Sequence, residues 1–459
     1  MRNGTRSVGR RFVGTLLALT AAAATWTLGS ALAPGRAWAA GASASADDLS
    51  LVVVLILGVA LLYLAAHLVV GRLQQRFLVL TGVEYLLLGV LLGPVVPQIP
   101  ALNAMTSLMP MVALAAGWIG LLRGMELDFR RLGQAPSGAG RIAVLHGIFG
   151  GGIVALGGVL FWRAGFLRGL DAEVTTTAAT LGFLACAAAA GATGPVDLLE
   201  SRYKTMGTNG ALLRRASRLS DLFAVFVFGM LFCVYHHDGS KSGLELRPTE
   251  WAVVSVLLGA LLGFLFRPFL GGDENENNRF LALVGVITFA SGAAYILELS
   301  PLFVNLTLGV TLVNTAQSGA RIRTTLENTE KPMDLVLMVL AGALWTPPPL
   351  VITLYAIAAF IAFRFVGKLV AGGLSSIGNA GLTRIYLGLL GHGEVTVAMA
   401  VSFKLVYSGP FVDVAYTTVL ASLVVHNLVA PRILRTFLVD VGEIKSDPRS
   451  TSMTIPAAR

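Results

Sequence analysis

A run of apolar segments, each about 20 residues long and repeated about thirteen times between residues 50 and 431, limits what this chain can fold into. A helix of that length crosses the hydrocarbon core while satisfying its own backbone hydrogen bonds. Composition agrees, since 55% of the 459 residues are hydrophobic and 13% are charged. Soluble domains carry about a quarter charged residues, so a water-soluble globule is excluded. The fold class expected is an all-α polytopic membrane protein. The spans run over residues 50–70, 77–97, 107–124, 141–162, 175–199, 217–235, 250–270, 279–297, 300–317, 333–346, 349–371, 383–406 and 412–431.

The net charge of +9 would suggest nucleic acid in a soluble protein. Here it fits basic loops on the cytoplasmic side, and no nucleic-acid partner is expected. Placing the start of the first span outside puts Arg72, Arg76, Arg130, Arg131, Arg202, Lys204, Arg214, Arg215, Arg321, Arg323 and Lys331 inside, with Arg432 and Arg435. Arg163, Arg168, Lys241 and Arg247 are the external exceptions. The expected location is a bacterial inner (plasma) membrane, with the C-terminus cytoplasmic. Residues 1–40 have the layout of a signal peptide. Arg2, Arg6, Arg10 and Arg11 lead an apolar stretch that ends in Ala37-Trp38-Ala39-Ala40. An uncleaved leader helix is the other reading. Residues 41–438 form the membrane domain, and 439–459 read as a disordered cytoplasmic tail. Cys186 and Cys233 lie in apolar runs and read as small buried hydrophobes.

A repeat lies within the spans. Leu86-Leu87-Leu88-Gly89-Val90-Leu91-Leu92 in span 2 matches Leu306-Thr307-Leu308-Gly309-Val310-Thr311-Leu312 in span 9. Seven spans apart, the two run in opposite directions. Spans 5 and 12 stand in the same relation, and both are interrupted. The interruptions are Gly191-Ala192-Thr193-Gly194-Pro195-Val196-Asp197 and Gly391-His392-Gly393-Glu394. Proline removes a backbone donor and glycine tolerates unusual dihedrals, so a helix broken there frees carbonyls and exposes charged helix ends. Paired interruptions in inverted halves, spans 1–6 and 8–13, point to a transporter binding site.

Several segments together resemble the monovalent cation:proton antiporter superfamily. Glu84 through Pro94 resembles its G-Y-L-L-A-G-I-L-L-G-P helix, with Glu84 in place of a glycine. Gly124-Met125-Glu126-Leu127-Asp128 is similar to G-L-E-L-D. Thr193-Gly194-Pro195-Val196 is similar to T-D-P-V, with Gly194 where an aspartate often stands. Ser220-Asp221 resembles the paired N-D or D-D site, Ser300 through Gly309 the S-P-x-x-x-A-F-x-A-G region, and Gly391 to Glu394 the P-R-G-E segment. The resemblance covers about residues 50 to 435. It implies thirteen helices in two inverted repeats, two crossed discontinuous helices, a homodimer, and exchange of Na+ or K+ for H+.

The residues themselves carry the site. Asp221 is a carboxylate inside an apolar run, expensive there and therefore functional by default. It is the expected holder of a proton or a Na+ or K+ ion, a salt bridge to Arg218 being the plainer reading. Ser220 and Thr193 could add oxygens. Asp197 either supplies the missing second charge or caps a half-helix. Lys368 resembles the family lysine that pairs with the site carboxylate, and Arg364 one turn away could take that role. The plainer reading of Lys368 is snorkelling to the interface. Glu394 would balance the half-helix start at Gly393, and His392 is either pH-responsive or a satisfied interior histidine. Glu84 reads as a private feature such as a salt-bridge partner. No cofactor is expected beyond the transported ions, and the partners are cations, protons and lipid. Neither G-x-G-D nor H-E-x-x-H occurs, so no enzyme is expected. The rivals are a bile-acid-type sodium/organic-anion symporter and a non-transporting sensor or scaffold.

Overall fold

The computed structural model describes residues 82–93, 104–132, 138–166, 170, 173–203, 207–236, 246–271, 276–316, 319–377 and 385–444. The leader, span 1 and residues 445–459 lie outside them. Among the described residues the structure is helical throughout, with no strand. The helices are α1 (Val83–Leu92), α2 (Ala104–Met125), α3 (Phe129–Leu132), α4 (Ala139–Arg163), α5 (Val174–Ala189), α6 (Gly194–Tyr203) and α7 (Thr208–Val234). After them come α8 (Pro248–Gly271), α9 (Glu276–Ile296), α10 (Pro301–Thr315), α11 (Gly319–Glu327), α12 (Glu330–Ala343) and α13 (Leu350–Ser375). A 3-10 turn (Ile385–Leu389), α14 (Glu394–Val406) and α15 (Pro410–Asp440) complete the order.

Seven stretches among the described residues are long and apolar enough to cross a bilayer, as a multi-pass membrane protein requires. Their outer faces confirm the solvent. On α8, Val253, Leu257, Leu261 and Leu265 form one exposed stripe at helical spacing, and Leu350, Val351 and Leu354 begin another on α13. Apolar stripes of this length suit acyl chains and not water.

Local chemistry explains where helices start. Ser300 caps α10, its hydroxyl accepting from the Phe303 amide at 3.3 Å, and Pro301 occupies the first turn, where its missing donor costs nothing. Span 6 is longer than its apolar core. Helix α7 begins at Thr208 because the basic stretch through Arg214, Arg215 and Arg218 continues the helix beyond the apolar run. The reading of 439–459 as a disordered tail needs correction over its first residues. Helix α15 runs to Asp440, Ile444 is buried, and Glu443 accepts the Asn209 and Gly210 amides at 2.7 and 3.2 Å. A carboxylate at the unpaired amides of a helix start satisfies both hydrogen bonding and the dipole.

The repeat seen in sequence organises the packing. Exchange α1 with α10, α2 with α12, α4 with α13, the two broken spans with each other, and α7 with α15. The α2–α10 contact then becomes the α12–α1 contact, and α4–α7 becomes α13–α15, all of which are present. The crossing points obey the same exchange. A Cβ on Gly124 would stand 3.0 Å from the Cα of Gly309, and one on Gly342 would stand 2.8 Å from the Cα of Gly89. Gly89 and Gly309 are the glycines that the aligned segments share. Small residues at these points let the backbones touch, which is how helices associate where lipid removes the hydrophobic drive.

Replacing Gly309 with Val should therefore force α2 and α10 apart. The expected cost is about 1–3 kcal/mol, read as a lower melting temperature of the detergent-solubilised protein. Gly285→Ala, where an added methyl meets nothing within 4 Å, is the control and should melt at the wild-type temperature or slightly above.

Candidate transport site

The two interruptions meet in the interior. Helix α5 stops at Ala189 and α6 starts at Gly194, while the 3-10 turn stops at Leu389 and α14 starts at Glu394. A Cβ on Gly391 would lie 3.0 Å from the Ala192 Cβ, so the two irregular segments cross there. Such backbone survives at membrane depth only when its polar groups find partners inside the protein.

Those partners come from α13. Arg364 and Lys368 are both wholly buried. The Arg364 guanidinium donates from Nη1 to the Leu390 carbonyl at 2.5 Å, and from Nη2 to the carbonyls of Gly391 at 2.9 Å and Ala190 at 3.3 Å. Lys368 Nζ donates to the Ala189 and Ala190 carbonyls at 3.3 Å each. Two cations thus sit on the carbonyl ends of two interrupted helices, where the partial charge is negative. Two expectations for Lys368 need correcting. It does not snorkel, because it has no exposure, and it makes no ion pair with Asp221. Carbonyl groups take the place of the carboxylate.

Asp221 is 2% exposed, and one carboxylate oxygen accepts the Gly191 amide at 3.0 Å. That amide belongs to the first interruption, so the carboxylate faces the crossing. Arg218 is not its partner; the Arg218 Nε lies 3.8 Å from Glu126 instead. Ser220 is buried beside it and its hydroxyl donates to the Ala143 carbonyl of α4 at 3.5 Å. The Thr193 carbonyl accepts the Val196 and Asp197 amides and so begins α6. Its hydroxyl makes no hydrogen bond among the described residues.

Asp197 does not replace the missing charge. Its side chain is 45% exposed and pairs with Arg214 at 2.5 Å, and Arg214 also binds Glu200. It sits in the first turn of α6, where an acid complements the helix dipole. His392 has both ring nitrogens engaged, Nδ1 with Thr396 at 3.3 Å and Nε2 with Ser422 at 3.1 Å, and Ser422 continues to His426. It is an interior histidine with its hydrogen bonds met. Glu84 has no salt bridge among the described residues and accepts the Gly82 amide at 3.2 Å.

Glu394 lies in the first turn of α14, as expected, but its counter-charge is a residue that the sequence reading passes over. Arg123, 2% exposed, binds Glu394, Glu126 at 2.6 Å and Glu330 at 2.8 Å. It ties α2, α12 and α14 together. An arginine inside an apolar span is the signal that marks it in sequence. Beside this cluster lies a cavity of about 330 Å3, lined by Glu126, Arg218, Arg323, Glu327 and Glu330 among others. Arg218, which lines the cavity, is one helical turn before Asp221 on α7. On the other side of Asp221, Phe228, Phe232, Phe183, Phe403 and Tyr407 form a continuous aromatic stack, with Phe183–Phe403 centroids 4.6 Å apart and Phe403–Tyr407 centroids 4.5 Å apart. Polar groups and a cavity lie toward one end of α7 from Asp221, and packed rings toward the other.

No protein-family model matches this sequence, and no curated protein does. Among solved structures, the sodium proton antiporter MjNhaP1 from Methanocaldococcus jannaschii at pH 8 is similar, with a TM-score of 0.58 and 14% identity. The match covers 85% of this chain and 99% of that one. An electron-microscopy map of the same antiporter gives a TM-score of 0.56 at 15% identity, over 86% and 99% of the two chains. At this identity the likeness is one of fold, and the chain shares the fold of that sodium proton antiporter.

Proposed function

We propose that this protein exchanges a monovalent cation, Na+ or K+, for H+ across the membrane by alternating access. The observation that carries the reading is the buried Asp221 carboxylate, held at the crossing of two interrupted helices. One oxygen is fixed by the Gly191 amide; the other makes no hydrogen bond among the described residues and is free for a ligand. A proton and a small cation compete for it, and that competition couples their movements. The polar cavity on one side and the aromatic seal on the other suit one stage of an alternating cycle. We place the cavity at the cytoplasmic end, because Arg321, Arg323, Arg214 and Arg215 cluster there. The bacterial plasma membrane follows from the same asymmetry, and the homodimer rests on the family resemblance alone. Among the described residues Asp221, Lys368 and Arg364 are the charges at the crossing, the Arg123–Glu394–Glu126 cluster lies close enough to act on Asp221, and the second acid that Asp197 would have given is not there.

Those charges suggest a stoichiometry. Asp221 is the one carboxylate at the crossing with an oxygen left for an ion. Either H+ or one monovalent cation on Asp221 then adds the same single charge. One-for-one exchange moves no net charge through the cycle.

In liposomes holding a pH dye, Na+, K+ or Li+ added in turn should drive proton movement for at least one ion. Asp221→Asn should reduce it to the protein-free background, and wild-type flux in that variant would remove Asp221 from the mechanism. Charge movement is tested separately by imposing a membrane potential. Each net charge moved across 100 mV is worth about 2.3 kcal/mol, a shift of roughly 50-fold in the exchange equilibrium. The final pH gradient should instead be insensitive to the potential; a potential-dependent gradient would refute the one-for-one ratio and leave antiport standing.

A further inference from the structure

His146 lies on α4 with no exposure at all, and neither ring nitrogen has a hydrogen-bond partner. A buried imidazole normally finds at least one, so a ring with neither nitrogen occupied calls for a non-protein partner. Its place on the helix shows where that partner sits. Three residues earlier, the Ala143 carbonyl accepts from Ser220, the neighbour of Asp221. Four residues later, Gly150 packs on the Lys368 side chain, where a Cβ would lie 3.5 Å from its Cε. His146 therefore falls on the face of α4 between Ser220, next to Asp221 on α7, and Lys368 on α13. Ser217 Oγ and Arg364 Nε are also buried without partners. The backbone of Ser217 meets Gly191, whose amide holds Asp221.

We propose that His146 relays the proton that leaves the site when a cation enters. The inference rests on the antiport reading and deepens it. As the cation reaches Asp221, the carboxyl O–H bond breaks and the proton passes through water in the site to the free ring nitrogen of His146. An N–H bond forms there, the N–H bond on the other ring nitrogen breaks, and that proton passes to water. The ring ends neutral with its tautomer exchanged, so no charge is stored and no co-reactant is needed. Imidazole suits this step because it has one donor and one acceptor nitrogen on opposite edges.

The surroundings favour a relay over a reservoir. The ionisable groups that act on His146 are Lys368 and Arg364 from α13, while α7 approaches through Ser220, the neighbour of Asp221. The α5 surface that meets it consists of Ala185, Ala188 and Ala189. A doubly protonated ring would add a third positive charge beside Lys368 and Arg364, so it passes its proton on quickly. A hard monovalent cation prefers oxygen ligands, which leaves proton handling as the use for two unfilled imidazole nitrogens.

The test is exchange by full-length protein in liposomes with a pH dye, using whichever of Na+, K+ and Li+ the wild type transports. His146→Asn should slow turnover about 10-fold or more, the scale of a lost acid–base group, with the apparent cation KM unchanged. His146→Ala should be slow too, and added imidazole should restore part of its rate. Rescue is a response that a purely structural role does not give, and a monodisperse elution profile checks folding. Wild-type turnover in His146→Asn, or slow variants that imidazole leaves unchanged, would overturn the proposal. If wild-type protein itself moves no protons, the antiport reading fails and this inference with it. If wild type works, Asp221→Asn does not, and His146→Asn does, only the relay is lost.

Discussion

The molecule depends on two buried cations that hold two interrupted helices by their carbonyl ends. Breaking a helix at membrane depth strands carbonyl groups where water cannot repair them. Burying an arginine and a lysine without carboxylate partners is as unfavourable by itself. Arg364 and Lys368 set each problem against the other. The planar fork of Arg364 reaches Leu390 and Gly391 on one interrupted span and Ala190 on the other. A single side chain thereby fixes the crossing, and the Gly191 amide, next in line, is left to hold Asp221. The Asp221 carboxylate is positioned through the backbone of the break and not by a direct ion pair. That explains why the site tolerates the lack of a second acid: the charge that would balance Lys368 is distributed over helix ends.

Much of this was legible because lipid makes charge conspicuous. Asp221, Arg364 and Lys368 stand out within apolar runs, where any ionised group demands an explanation. The repeat was legible for a related reason, since helices that touch through glycine must keep glycine at equivalent crossings. Gly89 and Gly309 therefore mark the packing as well as the alignment. The aim of side chains next to a break was not legible. Asp197 lies four residues after Thr193, yet the rotation of α6 turns it outward to Arg214. Sequence spacing carries across a regular helix but not across irregular backbone. Arg123 could be found by the rule that found Asp221, although the sequence reading passes over it. Two of its three acidic partners, Glu330 and Glu394, come from distant points of the chain. His146, in a glycine-rich helix, leaves no pattern at all; only its two unpartnered ring nitrogens identify it.

The Arg123 cluster connects the ion site to the architecture. It joins α2, α12 and the start of α14, and α2 and α12 are exchanged by the repeat. Helix α14 begins at the second interruption, so any shift of Glu394 acts on the segment that Arg364 clamps. A buried arginine shared among three carboxylates also resists being pulled from any one of them, because each loss leaves an uncompensated acid. This favours movement of the cluster as a unit with the helices it binds.

The opposite end is held by a different kind of contact. Tyr407 donates to the Tyr235 carbonyl at 2.6 Å, Tyr416 to the Ala341 carbonyl at 2.6 Å, and Lys404 meets Asp413 at 3.0 Å. These link the far ends of α7, α12, α14 and α15 over the aromatic stack. They are single hydrogen bonds and one partly exposed ion pair, individually weak. The strong and multiply bonded cluster lies beside the open cavity, while the sealed end is closed by stacked rings and isolated bonds. A rocking motion would therefore break at the sealed end first, with the two interruptions and their cations as its pivot. The pivot is also where the carboxylate is held, so under the proposed exchange Asp221 would change sides without loosening the Gly191 amide that positions it.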